Sequence, residues 1–111
     1  MRQWAHLKPD SQSAYRKIML YASQDGVYVF LYDAPEAVFC TEDEFYETME
    51  DALSAWEDQV GSEGWHVIED PLPGCQQDSI EPIRVKGMDT GLPRWGQYEI
   101  LVDGIWSEFR P

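Results

Sequence analysis

The feature that most constrains the fold is a pair of apolar segments that meet at an Asp-Gly dipeptide. The segments YRKIMLYAS and VYVFLYD, rich in aromatic and branched residues, flank Asp25-Gly26. Asp-Gly is favoured in two-residue hairpin turns because both turn positions need positive φ. The pattern therefore predicts a β-hairpin, in which a two-residue loop would pair Ala22 with Val29.

Alternation along this hairpin separates its side chains onto an aliphatic and an aromatic face. A slip of one residue would mix the two sets, so the separation supports the pairing. The aliphatic face is suited to receive a helix, whereas the aromatic face needs cover from the terminal segments or from another chain. If it stays exposed, it is a candidate self-association surface. This aromatic face consists of Met19, Tyr21, Tyr28, Phe30 and Tyr32.

The segment Thr41–Asp58 predicts an acidic lead-in followed by one amphipathic helix. From Met49 to Val60, apolar residues recur at i, i+3, i+4, i+7 and i+11, the spacing that lines one helical face. Thr48 is the expected N-cap, and Gly61 is expected to end the helix in a left-handed conformation. The opposite side, called here the acidic helix face, carries the candidate partner-binding residues Glu47, Glu50, Asp51, Ser54, Glu57 and Asp58.

Negative charge dominates the chain and is concentrated in one long span. The formal net charge is −13, and no Lys or Arg occurs between Ile18 and Ile83. The helix dipole opposes Glu57 and Asp58 by roughly 0.3–1 kcal/mol each, and no cation on the helix compensates. Such a span disfavours direct binding to nucleic acid and to anionic membranes, and it favours a basic protein partner.

The remaining segments complete an α+β pattern. Short strands are expected at 37–40, 65–69 and 82–86, and a second hairpin is expected around Asp103-Gly104. Strands, then one helix, then strands predict a mostly antiparallel sheet built from two hairpins, with the helix packed on one face. Residues 1–14 read as an N-terminal arm, and residues 15–111 as a single α+β domain.

The second hairpin carries an unfavourable pair. A two-residue loop places Glu99 opposite Glu108, and like charges directly across two strands are destabilising. We expect Arg84, Lys86 or Arg94 to compensate, since these cations are the ones nearby in sequence.

The sequence offers little for catalysis, metals or cofactors. Cys40, Cys75, His6 and His66 form no metal-binding motif, and neither a phosphate loop nor a nucleophile elbow is present. A Cys75–His66 pair is the one nucleophilic arrangement to consider, but neighbouring carboxylates disfavour the thiolate that it needs. We therefore expect no catalytic residue, no metal site and no cofactor.

Three hypotheses of function follow. The leading one is a small acidic protein-binding module that docks a basic partner, as an antitoxin, an immunity-type inhibitor or a mimic of nucleic-acid charge would. The alternative is a structural protein that forms a homodimer through Tyr21, Tyr28, Phe30 and Tyr32. The second alternative is a small enzyme with an unrecognised site. The absence of a signal sequence or apolar span predicts a cytoplasmic location.

Overall fold

Two antiparallel sheets and one short α-helix make up the chain, which a computed structural model describes over all residues from Met1 to Pro111. The predicted α+β class is therefore confirmed. The elements fall into two units, Met1–Asp70 and Pro71–Pro111, called here unit 1 and unit 2. No helix is long and apolar enough to cross a membrane.

Unit 1 contains the larger sheet and the helix. Its five strands lie in the order β4-β3-β2-β1-β5, all antiparallel to their neighbours. The strands are β1 (Arg2–His6), β2 (Lys17–Ala22), β3 (Val27–Tyr32), β4 (Glu42–Tyr46) and β5 (His66–Ile68), and helix α1 (Met49–Trp56) continues into a 3-10 turn (Glu57–Gln59).

The N-terminal segment differs from its expected role as an arm. β1 lies inside the sheet, where it pairs with β2 on one side and with β5 on the other. Ala5 is fully buried and Leu7 nearly so, which anchors the segment although its sequence shows no clean alternation. The expected boundary at residue 14 therefore does not coincide with a division of the structure, because β1 and β2 belong to one sheet.

The first hairpin forms as predicted, but its register is shifted by two residues. Ala22 pairs with Val27, not with Val29, and the loop runs from Ser23 to Gly26. The Ser23 hydroxyl accepts from the Asp25 N–H at 3.2 Å, and the Ser23 N–H donates to the Gly26 carbonyl at 2.8 Å. Asp25 does not adopt positive φ, so the turn is not the expected type. The shift is even, and the two predicted faces are preserved.

Helix α1 packs on the aliphatic face of this hairpin, as its periodicity predicts. Ala52 and Trp56 join one buried cluster with Ile18, Leu20, Val27, Val29 and Leu31. Thr48 is the N-cap, and its hydroxyl accepts from the Asp51 N–H at 3.1 Å. The expected ending at Gly61 is wrong, because Gly61 has no positive φ. The helix instead tightens into the 3-10 turn, after which Val60 is extended and bridges to Leu7.

The acidic lead-in to the helix is a strand. Glu42–Tyr46 forms β4 at the edge of the sheet, where it pairs with β3 alone. The strand expected at 37–40 is not formed; the chain there is bent or irregular. Charged side chains are one way in which proteins protect edge strands from pairing with other chains, and β4 carries three in succession.

The aromatic face is largely buried within the chain. Met19 and Tyr32 have no exposed surface, and Phe30 is 6% exposed. Two cations are buried on the same side of the sheet: Arg2 donates to the Glu69 carbonyl, and Lys17 donates to the Ala37 carbonyl at 2.7 Å.

Unit 2 contains a three-stranded sheet in the order β6-β7-β8, with β6 (Ile83–Val85), β7 (Tyr98–Val102) and β8 (Ile105–Phe109). Its hairpin has the predicted two-residue turn, since Val102 pairs with Ile105 and both Asp103 (φ 51°) and Gly104 (φ 78°) are left-handed. A 3-10 turn at Met88–Thr90 lies in the loop between β6 and β7.

Candidate functional site

All six residues of the acidic helix face are exposed. Ala52 and Trp56 turn inward from α1, which leaves Glu50, Asp51 and Ser54 toward solvent, with Glu57 and Asp58 continuing the surface on the 3-10 turn. No carboxylate of this face forms a salt bridge. The face therefore keeps its full negative charge.

One cation does reach the end of the helical segment. The Lys8 ammonium donates to the main-chain carbonyl of Asp58 at 2.9 Å. No cation lies on the helix itself, and this one comes from Lys8, which is outside it. A cation at the last carbonyls is favourable to the helix dipole, and it leaves the side chains of Glu57 and Asp58 unbound.

Beside the acidic helix face lies a second group of carboxylates, held in place by aromatic side chains. On β4, Glu42 and Glu44 point to the helix side because they pair with Leu31 and Val29 of the aliphatic face. The Glu44 carboxylate accepts from Trp56 Nε1 at 2.9 Å and from the Tyr46 hydroxyl at 3.0 Å, both at Oε1. The Tyr15 ring meets the Trp56 ring edge-on at 6.3 Å between centroids. We call Tyr15, Glu42, Glu44, Tyr46 and Trp56 the aromatic–carboxylate cluster.

The surroundings of both tyrosines in this cluster raise their pKa values. The hydrogen bond to Glu42, together with burial and the charges of Glu42 and Glu44, raises the pKa of Tyr15 to about 12. Burial, aided by the hydrogen bond to Glu44, also raises the pKa of Tyr46. Both shifts favour neutral hydroxyls that donate to ionised carboxylates. The arrangement thus orders Glu42 and Glu44 without neutralising them.

Sequence reasoning missed this cluster because the segment was interpreted as the approach to a helix. The one available signal was a spacing of two residues, which would place Glu42, Glu44 and Tyr46 on one side of a strand, although the run of acids lacks the apolar alternation that usually marks one. Tyr15 had no such signal, since its contact with β4 depends on the order of strands in the sheet.

Two of the four cations of unit 1 are withdrawn from its surface. Arg2 and Lys17 are buried, at 5% and 6% exposure, and each donates to a main-chain carbonyl. Burial lowers the pKa of Lys17, an effect that the nearby Glu36 carboxylate opposes. Lys17 also lies 4.5 Å from the centroid of the Tyr32 ring. No pattern in the sequence indicates that these two cations are withdrawn from the surface.

Of the four residues proposed for self-association, two are buried and two are half-buried. Phe30 and Tyr32 are buried within the single chain and cannot form an exposed interface, which corrects that part of the expectation. Tyr21 and Tyr28 are half-buried, and Phe45, 49% exposed, packs edge-on against Tyr28 at 5.1 Å. The remaining aromatic surface is small and lies next to the acidic edge strand.

His66 and Cys75, the two residues considered as a nucleophilic pair, belong to different units. In unit 1, His66 stacks on Trp4 at 4.5 Å and lies 3.6 Å from a carboxylate oxygen of Glu63. In unit 2, Cys75 bridges to Arg84 in an isolated antiparallel pair. No group of three or more His, Cys, Asp or Glu side chains is placed to hold a metal ion.

The like-charge pair of unit 2 is present and is compensated. Glu99 lies opposite Glu108, and the Arg84 Nε is 3.2 Å from a Glu99 oxygen. Arg84 also pairs with Asp89 at 3.6 Å and lies 3.7 Å above the Trp106 ring. Glu108 is 3.5 Å from Arg110. Of the three cations expected to compensate, Arg84 does so.

Comparisons with known protein families, with curated proteins and with solved structures find no match to this chain.

Proposed function

We propose that this protein is an acidic binding module that docks a basic surface of a protein partner. The observation that carries the proposal is the acidic helix face, in which every carboxylate is exposed and none forms a salt bridge. A domain that acts without a partner is expected to place cations among such carboxylates, because they relieve the repulsion between like charges. A basic partner would supply them.

The aromatic–carboxylate cluster supports the same surface. Trp56 belongs to α1 and bonds to Glu44 of β4, so the cluster adjoins the acidic helix face. A carboxylate already fixed by hydrogen bonds loses less freedom when an arginine or lysine binds it. The cluster therefore supplies fixed charge with aromatic surface beside it, and the acidic helix face supplies mobile charge. Interfaces that bind strongly combine such anchors with a polar rim.

The chemistry of the partner follows from the charge. Complementary charge accelerates association, and the effect falls steeply as salt is added. We propose that the partner is a protein whose basic surface normally contacts an anion. The present chain would then act as an antitoxin or immunity-type inhibitor of a nuclease, or as a mimic of nucleic-acid charge. The protein itself then needs no catalytic residue.

The test is capture of partners from the native cell with two variants of equal charge. The triple variant Glu50→Lys, Glu57→Lys and Asp58→Lys reverses the acidic helix face. The control Asp33→Lys, Glu69→Lys and Glu81→Lys makes the same change in net charge at other exposed acids. We expect a protein retained by the native chain and the control, released by salt and lost by the triple variant.

Association kinetics with the captured protein complete the test. The on-rate should fall roughly tenfold or more from low to physiological salt. Equal binding by the native chain and the triple variant, with circular dichroism showing both folded, would exclude this face as the binding surface.

Self-association is the second candidate, favoured by the exposed Phe45 beside Tyr28. Phe45→Ser should convert a dimer to a monomer in sedimentation equilibrium if this small aromatic surface joins two copies. A monomeric native chain would remove the candidate.

A further inference from the structure

The loop between β6 and β7 in unit 2 lines a cavity of about 270 Å³ that is open to solvent. The loop is closed by main-chain bonds: the Lys86 N–H donates to Gln97, and the Arg94 N–H donates to the Lys86 carbonyl at 2.7 Å. Gly87 has φ 82°, and any side chain there would clash with the Leu92 carbonyl. These contacts fix the loop and hold Lys86 beside Arg94. The lining consists of Lys86, Gly87, Asp89, Thr90, Leu92, Arg94 and Glu99.

Lys86 and Arg94 differ from every other cation of the chain. Neither side chain forms a hydrogen bond or a salt bridge, although acids outnumber bases 21 to 8. Each remaining lysine and arginine has a protein acceptor: Arg2 on Glu69, Lys8 on Asp58, Arg16 on Ser13 and Tyr15, Lys17 on Ala37, Arg84 on Asp89 and Glu99, and Arg110 on Glu108.

The acids of the cavity do not balance these two cations. Asp89 and Glu99 both pair with Arg84, which is largely buried beneath them against the Trp106 ring. Together, Arg84, Asp89 and Glu99 carry one net negative charge, against two positive charges on Lys86 and Arg94. Like charges on neighbouring residues repel unless an anion lies between them. The charged side chains of the lining itself balance, and counting Arg84, which pairs with both acids, leaves one net positive charge in a strongly negative chain.

We propose that this cavity binds a small molecule through a carboxylate or phosphate group held by Lys86 and Arg94. Arginine suits both groups because its planar fork matches two oxygens, and lysine adds a point charge. The Thr90 hydroxyl donates to the Gly87 carbonyl, so it is left as an acceptor toward the cavity. The volume lies just below the usual range for ligand pockets, which selects a small metabolite over a nucleotide. The site is independent of the acidic helix face.

Backbone amide NMR of the full chain tests the proposal directly. Inorganic phosphate and acetate are titrated separately at constant ionic strength, with chloride making up the balance. We expect saturable shifts at Gly87, Asp89, Thr90 and Leu92 with at least one of the two anions. Shifts with phosphate alone identify a phosphate ester as the ligand class, and shifts with acetate alone identify a carboxylate.

The variant Lys86→Gln with Arg94→Gln should weaken this binding about tenfold or more, since it removes two charge-assisted contacts. The control Lys8→Gln with Arg110→Gln lowers the net charge equally and should leave it unchanged. Both pairs lie at or near the surface, and circular dichroism checks that each variant folds. Absence of saturable shifts with both anions would overturn the proposal. Equal affinity in the Lys86/Arg94 variant and the native chain would overturn it as well.

Discussion

The two hairpins share the same Asp-Gly dipeptide and form different turns. In unit 2, Asp103 and Gly104 are both left-handed and make the two-residue turn that the dipeptide favours. In unit 1, the loop is centred one residue earlier, between Gln24 and Asp25, and Gly26 takes φ 145°. The dipeptide alone therefore does not determine the turn.

The difference follows from what surrounds each loop. A side chain at Gly26 would clash with the Phe45 ring and lie 2.8 Å from the Tyr46 carbonyl, so β4 closes around the first turn. Nothing lies within 4 Å of such a side chain at Gly104. The local preference decides the turn where the loop is open to solvent. Where a neighbouring strand crowds the loop, packing decides it.

The carboxylates of the two units also differ in the groups that hold them in place. In unit 2, Glu99 is held by the cation Arg84, which offsets part of its charge. In unit 1, Glu44 is held by the Trp56 indole and the Tyr46 hydroxyl, which order it and leave its charge. This contrast favours unit 1 as the docking surface for a basic partner.

The largest expected contrast between the hairpins is in their burial. Leu20 is fully buried under α1, so Leu20→Ala should lower the free energy of unfolding by about 2–5 kcal/mol. Ile105 is 67% exposed, and Ile105→Ala should change it by no more than about 0.5 kcal/mol. Urea unfolding followed by circular dichroism measures both. Similar losses in the two variants would contradict the difference in burial.

The two turn glycines give the next contrast. Gly26→Ala should lower the free energy of unfolding by about 2–4 kcal/mol, since it combines positive φ with a clash against β4. Gly104→Ala should lower the free energy of unfolding by about 1–2 kcal/mol, since it adds only the strain of the left-handed backbone. Amide hydrogen exchange in β3 and β8 reports each loss locally. If Gly104→Ala proved the more damaging, the account of packing around the first turn would be wrong.

The sequence predicted those parts of the fold that depend on local pattern. The hairpin around Gly26, the N-cap at Thr48 and the separation of faces all rest on residues close together in the chain. β1 and β4 were missed because each is short and polar and gains its place from pairing. Glu42 and Glu44 lie in a run of acids, which lacks the apolar alternation that usually marks a strand.

The candidate site, too, could be predicted from the sequence only where it depends on local pattern. Exposure of the acidic helix face follows from helical period, which the sequence contains. The hydrogen bonds of Glu44 to Trp56 and the withdrawal of Arg2 and Lys17 from the surface depend on which strands are neighbours. Strand order is a property of the whole sheet, and no local pattern contains it.

Titration of Tyr15 would sharpen the contrast between the two kinds of carboxylate. Its pKa is raised from 10.0 to about 12, so its contribution to stability is complete below pH 10 and is lost as pH rises from 10 to 12. The difference in ultraviolet absorbance between the native chain and Tyr15→Phe isolates this group. Glu42→Gln removes the charge of the bonded carboxylate, so it should lower the pKa of Tyr15 toward 10.0. An unchanged pKa of Tyr15 in this variant would show that Glu42 is not its partner.

The smallest expected effect concerns the like-charge pair of the second hairpin. Glu108 is exposed, and its 3.5 Å pair with the exposed Arg110 contributes little. Glu108→Gln should therefore stabilise the strand pair by about 0.2–0.5 kcal/mol at low salt, because it removes repulsion with Glu99. Glu99→Gln should do the reverse, since it takes a carboxylate from the largely buried Arg84. Amide exchange in β7 and β8 measures both, and the gain in Glu108→Gln should vanish at high salt. A loss of protection in that variant would mean that Arg110, and not solvent, holds the second carboxylate in place.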